Sequence, residues 1–380
     1  TPEELDRRRK QHAPRGKGWK YDRSCRKLPP EQVRRLEAEG RPSCLRFLTP
    51  KGSTAFDDLV HGIMTVDNAE IEDFVLVRSD ETPTYNLSCV CDDIDMRITH
   101  VIRGDDHISN TPKQILLYRA LDARAPRFGH LPLILGPDRK RLSKRHGAVS
   151  VTQYRRAGYL PEALVNFLAL LGWSPGGDRE LMPIDTLIRL FSFEGVGGRG
   201  AVFDADKLLW MNGEYIRRLE PSELASRVRP WLEAEGLWQE SLAGERREWL
   251  ESLLQMLKGR CPLLADLARS ARPFLTSRFD YDPDAVAKRF SGPEVARHLA
   301  LLERVLCAVE PFDEATCEAA LRGLAEKQGV KAATLIHPAR VALTGSNVSP
   351  GLFEVMALMG RESVVARLRR AVHYIQEHST

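Results

Sequence analysis

The chain has 380 residues, of which 43% are hydrophobic, and a formal net charge of +4. This length and composition allow two or more domains with hydrophobic cores, and so small a net charge does not by itself indicate a nucleic-acid-binding protein. No apolar run approaches the roughly 20 residues that a helix needs to cross a bilayer, and no signal segment opens the chain, so we expect a soluble protein without a membrane partner.

The chain opens with a basic segment, and its first residue is Thr1 rather than methionine. We therefore expect that the natural N-terminus has been removed. A solvated helix face with a loop is the usual structure of such a segment, and a surface that contacts a phosphate backbone is the alternative. The basic residues concerned are Arg7, Arg8, Arg9, Lys10, Arg15, Lys17 and Lys20.

Short extended runs between residues 44 and 85 predict a small mixed sheet, with residues 74–77 as a central strand. Cys89 and Cys91 follow with a spacing that occurs in metal sites. They lie in an alternating run, and no second cysteine or histidine pair lies at a zinc-ligand distance, so we expect a strand here. The seven cysteines are scattered and odd in number, which indicates a reducing cytoplasm and argues against a disulfide framework.

Five predicted elements follow one another in the next segment: a strand, an acidic turn, a helix, a second strand and a basic loop. β-Branched residues alternate in residues 97–103, and residues 104–106 end this strand. Thr111 is expected to cap the helix, because Pro112 suits its first position. The second apolar run covers residues 131–135. Ligands of α/β domains bind at the carboxyl ends of parallel strands, so we expect a site where these two strands end.

The basic loop after the second strand carries several cations and a hydroxyl group, and Gly136 and Gly147 flank it. A mobile loop of this composition can fold over a triphosphate and neutralise the charge that develops during in-line displacement. The two glycines permit such movement. A basic surface loop without a ligand is the alternative.

Arg103, at the end of the first strand, is a candidate for binding an acidic group. Its planar guanidinium can form two hydrogen bonds with one carboxylate, which suits an acidic substrate. A buried ion pair with Asp92 or Asp93 explains the residue equally well at this point. Asp106 lies at the same strand end.

A composition shift near Glu220 marks the expected boundary between an α/β half and an all-helical half. Beyond it, apolar residues recur at helical spacing in residues 250–257 and 295–306, which is typical of helices that face a core. Two further helices are predicted before the boundary, in residues 161–171 and 203–211.

Several motifs, in a shared order, resemble those of class I aminoacyl-tRNA synthetases, and in particular the bacterial glutamyl-tRNA synthetases. Residues 141–145, Arg-Leu-Ser-Lys-Arg, resemble the KMSKS signature of the class. The resemblance runs from near residue 40 to the C-terminus, so it covers most of the chain. The other matching segments are residues 83–86, 99–107, 203–204 with 210–213, and 340–345 with 349–350.

The resemblance implies an α/β Rossmann-like catalytic domain, of which only the second half is present, with a mixed α+β insertion and a following all-α anticodon-binding domain. It implies an acceptor-stem-binding insertion in residues 1–84 and the second catalytic half, with the KMSKS-type loop, in residues 85–155. A stem-contact region would cover residues 156–220, and the helical anticodon-binding domain residues 221–380.

The resemblance also implies ATP-dependent activation of glutamate to glutamyl-adenylate and its transfer to the 3′ end of tRNA(Glu) in protein synthesis. The expected partners are tRNA(Glu), glutamate and ATP with Mg2+, and the expected protein is a cytoplasmic monomer. By motif position, Lys144 would hold the ATP phosphates with assistance from Arg141 and Ser143. Leu142 and Arg145 complete the implied ATP-binding loop.

By the same resemblance, Tyr85 and Arg103 would hold glutamate, with Arg103 facing its side-chain carboxylate. Asp106 and His107 would line the pocket for the amino acid and the tRNA terminus. Arg141 stands where a lysine is usual, which keeps the charge but changes its geometry.

Two further departures concern the N-terminal part. The HIGH-type motif is absent together with the first half of the nucleotide fold, so we expect this polypeptide to be a poor or inactive catalyst alone. Residues 21–27 resemble the second half of a zinc knuckle. Lys27 replaces the expected histidine and the upstream cysteine pair is missing, so zinc is not predicted.

Two alternatives to a glutamate-tRNA ligase remain. One is a non-catalytic tRNA-binding protein built from the same parts, which a start codon immediately before Thr1 would support and an upstream HIGH-like motif would oppose. The other is a glutaminyl enzyme, which shares the catalytic half. The helical second half argues against it, because that family's resemblance would imply β-barrels there.

Overall fold

A computed structural model of the chain describes residues 7–8, 10, 20–143, 145 and 150–378, with only the backbone of Pro293. These residues belong to two compact units. The first unit comprises Thr1–Ser143 with Ala169–Phe203, and the second unit comprises Lys144–Leu168 with Asp204–Thr380. Most of the predicted basic opening segment lies outside the described residues.

The first unit is built around a four-stranded sheet of β2 (Ser53–Asp58), β3 (Gly62–Asp67), β5 (His100–Gly104) and β6 (Arg127–Leu131), in the order β3-β2-β6-β5. Strands β2 and β3 form an antiparallel hairpin, whereas β6 runs parallel to both of its neighbours. The first predicted site strand lies in this sheet, but a strand over residues 131–135 was wrongly predicted. The parallel partner of β5 comprises Arg127–Leu131, and residues 134–135 belong to another sheet.

Four shorter strands form two small sheets in the same unit. Strand β1 (Leu45–Arg46) pairs with β4 (Val75–Val77), and β7 (Ile134–Leu135) pairs with β8 (Ala201–Val202). The prediction of a central strand in residues 74–77 is wrong, because β4 belongs to a two-stranded sheet. Only Phe74 of that run is buried, and it belongs to the core of the unit.

Helices α2 (Tyr85–Asp95) and α3 (Thr111–Ala120) supply apolar side chains to the core around the large sheet. The prediction of a strand at Cys89 and Cys91 is wrong, since both residues lie on α2. Val90 is fully buried and Ile94 packs against the same core, and their separation of four residues fits one face of a helix. The alternating run was too short to indicate a strand. Helix α1 (Pro30–Ala38) precedes the sheet and has no buried residue.

The connection between β5 and α3 differs from its prediction in two details. Strand β5 begins at His100 rather than at residue 97, and a 3-10 helix covers Asp105–Asn110. Asn110 occupies the position before α3, so the predicted capping role of Thr111 is wrong. The hydroxyl group of Thr111 is buried and bonds to side chains of the site instead.

The second unit is helical, as predicted. Val295, the first residue of the second predicted stripe, is partly buried and packs against the hydrophobic core of the unit. The other expected core residues are all buried: Leu250, Leu253, Leu254, Leu257, Leu299, Leu302 and Leu306. The predicted helix in residues 161–171 ends at Ala169, and the one in residues 203–211 begins at Ala205, capped by Asp204, and continues to Arg218. No helix in the described part of the chain is long and apolar enough to cross a membrane.

The remaining helices complete the list of elements. They are α4 (Val151–Ala157), α5 (Pro161–Ala169), α6 (Ile184–Leu190), α7 (Ala205–Arg218), α8 (Pro221–Ala234), α9 (Arg247–Lys258), α10 (Leu264–Leu275), α11 (Pro283–Arg289), α12 (Pro293–Cys307), α13 (Glu314–Lys327), α14 (Ala332–Thr344), α15 (Leu352–Met359) and α16 (Arg361–His378).

Candidate active site

Arg103 lies near the carboxyl end of β5, where three side chains hold its guanidinium group. Its Nε donates to His130 Nε2 at 3.2 Å. Its Nη2 donates to Thr111 Oγ1 at 2.7 Å and to Gln114 Oε1 at 2.9 Å. Within the described part of the chain, Nη1 has no hydrogen-bond partner. The group is therefore fixed in orientation, while one nitrogen remains available to a ligand.

The ion pair of Arg103 with Asp92 or Asp93, which the sequence left open, is not formed among the described residues. Asp92 is exposed, and Asp93 accepts a hydrogen bond from the Tyr118 hydroxyl at 3.0 Å. Burial, together with Asp93, raises the pKa of Tyr118, which keeps this hydroxyl protonated as a donor. Asp93 is thus engaged by Tyr118, and the geometry favours the ligand-binding alternative for Arg103.

Asp58 and His130 form a buried pair next to the guanidinium group of Arg103. Neither side chain is exposed, and Asp58 Oδ2 lies 2.6 Å from His130 Nδ1. Burial lowers the pKa of His130 in spite of the neighbouring carboxylate. Burial tends to raise the pKa of the Asp58 carboxyl, but hydrogen bonds from His130 and from backbone amides lower it below the ordinary value. The pair therefore consists of a carboxylate and a neutral imidazole.

Two further predicted site residues lie in this region: His107, in the turn after β5, and Tyr85. Arg103 Nη2 donates to the carbonyl oxygen of His107 at 3.5 Å, and Asn110 Nδ2 donates to His107 Nδ1 at 3.2 Å. The ring of Tyr85, at the start of α2, lies 6.0 Å from the His107 ring. Tyr85 is half exposed, so its hydroxyl can contact a ligand from solvent.

Asp106, in the same turn, connects the strand end to the basic loop. Its Oδ2 lies 3.1 Å from Arg141 Nη1, and the Arg141 side chain is 71% exposed. Arg141 also forms a β-bridge with Leu135, and Leu142 N donates to the carbonyl of Ile134 at 2.9 Å. The loop therefore folds back along β7 and brings Arg141 to the acidic turn.

The other residues of the loop are only partly described. Ser143 and Arg145 are exposed, whereas Lys144 and Gly147 lie outside the described residues. The structure thus brings together Tyr85, Arg103, Asp106, His107 and Arg141. The roles that the sequence assigned to the site residues remain predictions.

Two family models match the chain. The model of the catalytic domain of class I tRNA synthetases for E and Q matches residues 1–210, and an anticodon-binding domain model matches residues 223–372. Among the curated relatives, a glutamate-tRNA ligase of Moorella thermoacetica is 43% identical over 379 residues, covering 100% of this chain and 77% of the relative. The chain belongs to the glutamate-tRNA ligase family.

Other members of the glutamate-tRNA ligase family support the same assignment. Glutamate-tRNA ligase 2 of Koribacter versatilis is 47% identical over 373 residues, covering 98% of this chain and 77% of the relative. A solved glutamate tRNA ligase of Elizabethkingia meningosepticum, in complex with its amino acid, superposes with a TM-score of 0.85 at 29% identity, covering 99% of this chain and 78% of that chain. The predicted fold class and family are confirmed, and the glutaminyl alternative is not favoured.

Sequence reasoning missed four side chains of this ligase-family site: Asp58, His130, Thr111 and Gln114. Asp58 ends strand β2, whose residues alternate between exposed and buried, and the alternation places this carboxylate on the buried side. A charged residue in a buried register is the signal that could have identified it, because a buried charge needs a partner. The partner, His130, is 72 residues away and has no local signature.

No group of three or more histidine, cysteine or acidic residues in the described part of this ligase-family chain could hold a metal ion. In the segment that resembles half of a zinc knuckle, Cys25 is exposed and Arg23 binds the Asp73 carboxylate at 2.7 and 2.9 Å. The contacts of Arg23 are those of a structural ion pair that fixes this segment to the sheet region.

Proposed function

We propose that the complete gene product activates glutamate with ATP and transfers it to the 3′ end of tRNA(Glu). The observation that carries this proposal is the guanidinium group of Arg103, which three side chains orient at the end of β5. No carboxylate of the described residues neutralises it. An oriented, permanently charged planar group is suited to bind the side-chain carboxylate of glutamate.

The first reaction step needs cations near the triphosphate. An oxygen of the α-carboxylate of glutamate attacks the α-phosphorus of ATP, and pyrophosphate leaves, so that glutamyl-adenylate is formed. Positive groups stabilise the charge that develops on the phosphate oxygens. The cations of the loop that begins beside Asp106 supply these groups. Lys144 holds the phosphates, assisted by Arg141, Ser143, Leu142 and Arg145.

The second step joins the amino acid to the tRNA. A hydroxyl group of the terminal ribose attacks the carbonyl carbon of glutamyl-adenylate, and AMP leaves. Asp106 and His107 line the pocket for the amino acid and the tRNA terminus, and Tyr85 contacts glutamate beside Arg103. The proximity of the Tyr85 and His107 rings supports this assignment.

The remaining assignments follow from the family and the sequence. Mg2+ is expected to enter with the ATP phosphates, because it binds substrate phosphates and keeps several waters; zinc is not expected. We propose a cytoplasmic monomer with an insertion in residues 1–84, a catalytic segment in 85–155, a stem-contact region in 156–220 and an anticodon-binding domain in 221–380. The anticodon-binding family match over residues 223–372 supports the last of these.

ATP-pyrophosphate exchange tests the proposal. The complete gene product is assayed with glutamate and with glutamine, each with and without tRNA. Exchange that depends on glutamate, followed by esterification of tRNA(Glu), is the expected result. Exchange with glutamine alone would instead assign the glutaminyl reaction, and tRNA binding without exchange under any condition would assign a non-catalytic protein.

A further inference from the structure

A continuous chain of hydrogen bonds connects the interior of the first unit to Arg103. It starts at Asp58, whose Oδ1 accepts from the backbone amides of Val60, His61 and His130 at 3.0, 3.1 and 3.2 Å. Its other oxygen, Oδ2, lies 2.6 Å from His130 Nδ1. The opposite nitrogen of the same ring faces Arg103 Nε at 3.2 Å. The chain therefore connects the end of β2, through β6, to β5.

The tautomer of His130 follows from its neighbours. Arg103 can only donate hydrogen bonds, so the His130 Nε2 that faces it has to carry a lone pair. The proton of the neutral ring is then on Nδ1, where it is donated to the Asp58 carboxylate. Asp58 thus selects the tautomer that turns an acceptor toward Arg103, in the way that a carboxylate commonly orients a functional histidine.

The other contacts leave the guanidinium group little freedom. Thr111 and Gln114 are both buried and accept from Nη2, and the guanidinium lies 5.9 Å from the centre of the Phe128 ring. The Gln114 amide is turned so that its oxygen accepts from Arg103, and its Nε2 is buried without a partner among the described residues. Two of the three guanidinium nitrogens are thereby fixed, and Nη1 is presented to the site.

We propose that Asp58 and His130 are positioning residues that hold Arg103 in the orientation required to bind an acidic side chain. This inference rests on the proposed function, in which Arg103 binds the glutamate carboxylate. A fixed donor loses less conformational entropy on binding and holds the substrate in one geometry. Asp58 and His130 therefore determine the affinity for glutamate without contacting it.

The charge state of His130 controls this arrangement. A proton on Nε2 would place an N–H group against the Arg103 N–H and an imidazolium beside a guanidinium. The charged and titratable groups that face His130 are Asp58 from β2, Arg103 from β5 and His61 from the turn after β2, and the latter two disfavour its protonation. Acidification below the lowered pKa of His130 is therefore expected to protonate the ring, release Arg103 and weaken glutamate binding.

Two substitutions of His130 separate the positioning role from a structural one. In His130→Asn, the amide can replace Nδ1–H as a donor to Asp58, but its side chain does not reach Arg103. In His130→Gln, the longer side chain places a carbonyl oxygen near the former Nε2 position and restores an acceptor. His298→Asn is the matched control, because it removes another buried histidine in the second unit.

The kinetic test measures the KM values of the complete gene product in glutamate-dependent exchange. His130→Asn is expected to raise the KM for glutamate about 10-fold or more, the factor for losing one hydrogen bond to a charged group, with the KM for ATP unchanged. His130→Gln and His298→Asn are expected to stay within about 3-fold of the wild type, below that factor. In the wild type, the KM for glutamate rises once the pH falls below the lowered pKa of His130, and in His130→Gln this rise is absent. A wild-type KM and pH profile in His130→Asn would overturn the proposal.

A second measurement does not depend on catalysis. Exchange of the Arg103 Nε–H with solvent is followed by NMR on the 380-residue chain, with Arg103→Lys used to assign the signal. Slow exchange in the wild type and in His130→Gln, and fast exchange in His130→Asn and Asp58→Asn, is expected. Equal exchange in the wild type and both Asn variants would overturn the positioning role, even if the protein activated no glutamate.

Discussion

Arg141 Nη1 lies 3.1 Å from Asp106 Oδ2, and this ion pair joins the start of the basic loop to the turn after β5. The Arg141 side chain is largely exposed, so water and salt screen the attraction. The pair is therefore a weak link that ATP phosphates can replace when they bind Arg141. Its position places the two predicted halves of the site, the acidic turn and the basic loop, in direct contact.

Asp106→Asn tests this competition between the carboxylate and ATP. We expect a change below about 1 kcal/mol in the free energy of unfolding, as for an exposed ion pair. The KM for ATP should fall about 2- to 5-fold at low salt, because Arg141 no longer has to leave a carboxylate. Asp105→Asn, which removes the neighbouring carboxylate, is the control. An unchanged KM for ATP in Asp106→Asn would contradict a competing role of the pair.

Lys144→Ala tests the predicted phosphate contact of the loop. The activation rate of the complete gene product should fall on the order of 10²- to 10³-fold, as for the loss of one strong electrostatic stabiliser. Lys140→Ala, which removes a different cation of the same segment whose side chain is exposed, should have a much smaller effect. The rate of adenylate formation is measured in a single turnover. Adenylate formation by Lys144→Ala at near the wild-type rate would exclude the assigned role.

Acidification should destabilise the first unit through His130 before it does so through Asp58. The pKa of His130 is lowered in the folded chain, so below the ordinary value of about 6.5 the unfolded chain binds a proton that the folded chain does not. The stability contributed by Asp58, whose pKa is also lowered, is present above about 3.9 and is lost as the pH falls further. Stability should therefore fall as the pH decreases from 7 toward 5.

Urea unfolding of the wild type and of His130→Gln at several pH values measures this effect. The other histidines contribute equally to both proteins, so the difference between the two curves isolates His130. The wild type should lose more stability than the variant between pH 7 and 5. Parallel pH dependences of the two proteins would show that His130 is not buried in its neutral form.

Gly158→Ala should destabilise the second unit for a steric reason. Gly158 ends α4 with a φ of +95°, and a Cβ there would lie 2.6 Å from the backbone nitrogen of Ala265. Strain and overpacking should together cost roughly 2–4 kcal/mol of unfolding free energy. Gly236→Ala is the matched control, because Gly236 also has a positive φ of +67° but no atom within 4 Å of its added Cβ. Equal losses in the two variants would contradict the steric part of this account.

The sequence identified those parts of the site that have a local signature. Arg103 follows an apolar strand and Arg141 lies in a motif of ordered cations, so each could be recognised within a few residues. Asp58 and His130 were missed because their pairing depends on the parallel contact of β2 with β6, which joins residues 72 positions apart. Such long-range pairing is set by the whole sheet and not by any short segment.

The errors in the elements have a similar origin. Cys89 and Cys91 lie in a run that is too short to distinguish an apolar period of 2 residues from one of 3.6. The structure forms a helix there, which buries Val90 against the core. Thr111 has the sequence context of a helix cap, but its hydroxyl contacts Arg103 and His130 instead. Tertiary contacts thus gave Thr111 a role in the site, although its local sequence is typical of a helix cap.

The most direct test of the central claim is ATP-pyrophosphate exchange by Arg103→Ala in the complete gene product, with glutamate and glutamine compared. If Arg103 binds the glutamate side-chain carboxylate, kcat/KM for glutamate should fall roughly 100-fold, as for the loss of two charge-assisted hydrogen bonds, and the preference over glutamine should be lost. An unchanged KM for glutamate together with unchanged discrimination against glutamine would contradict the account.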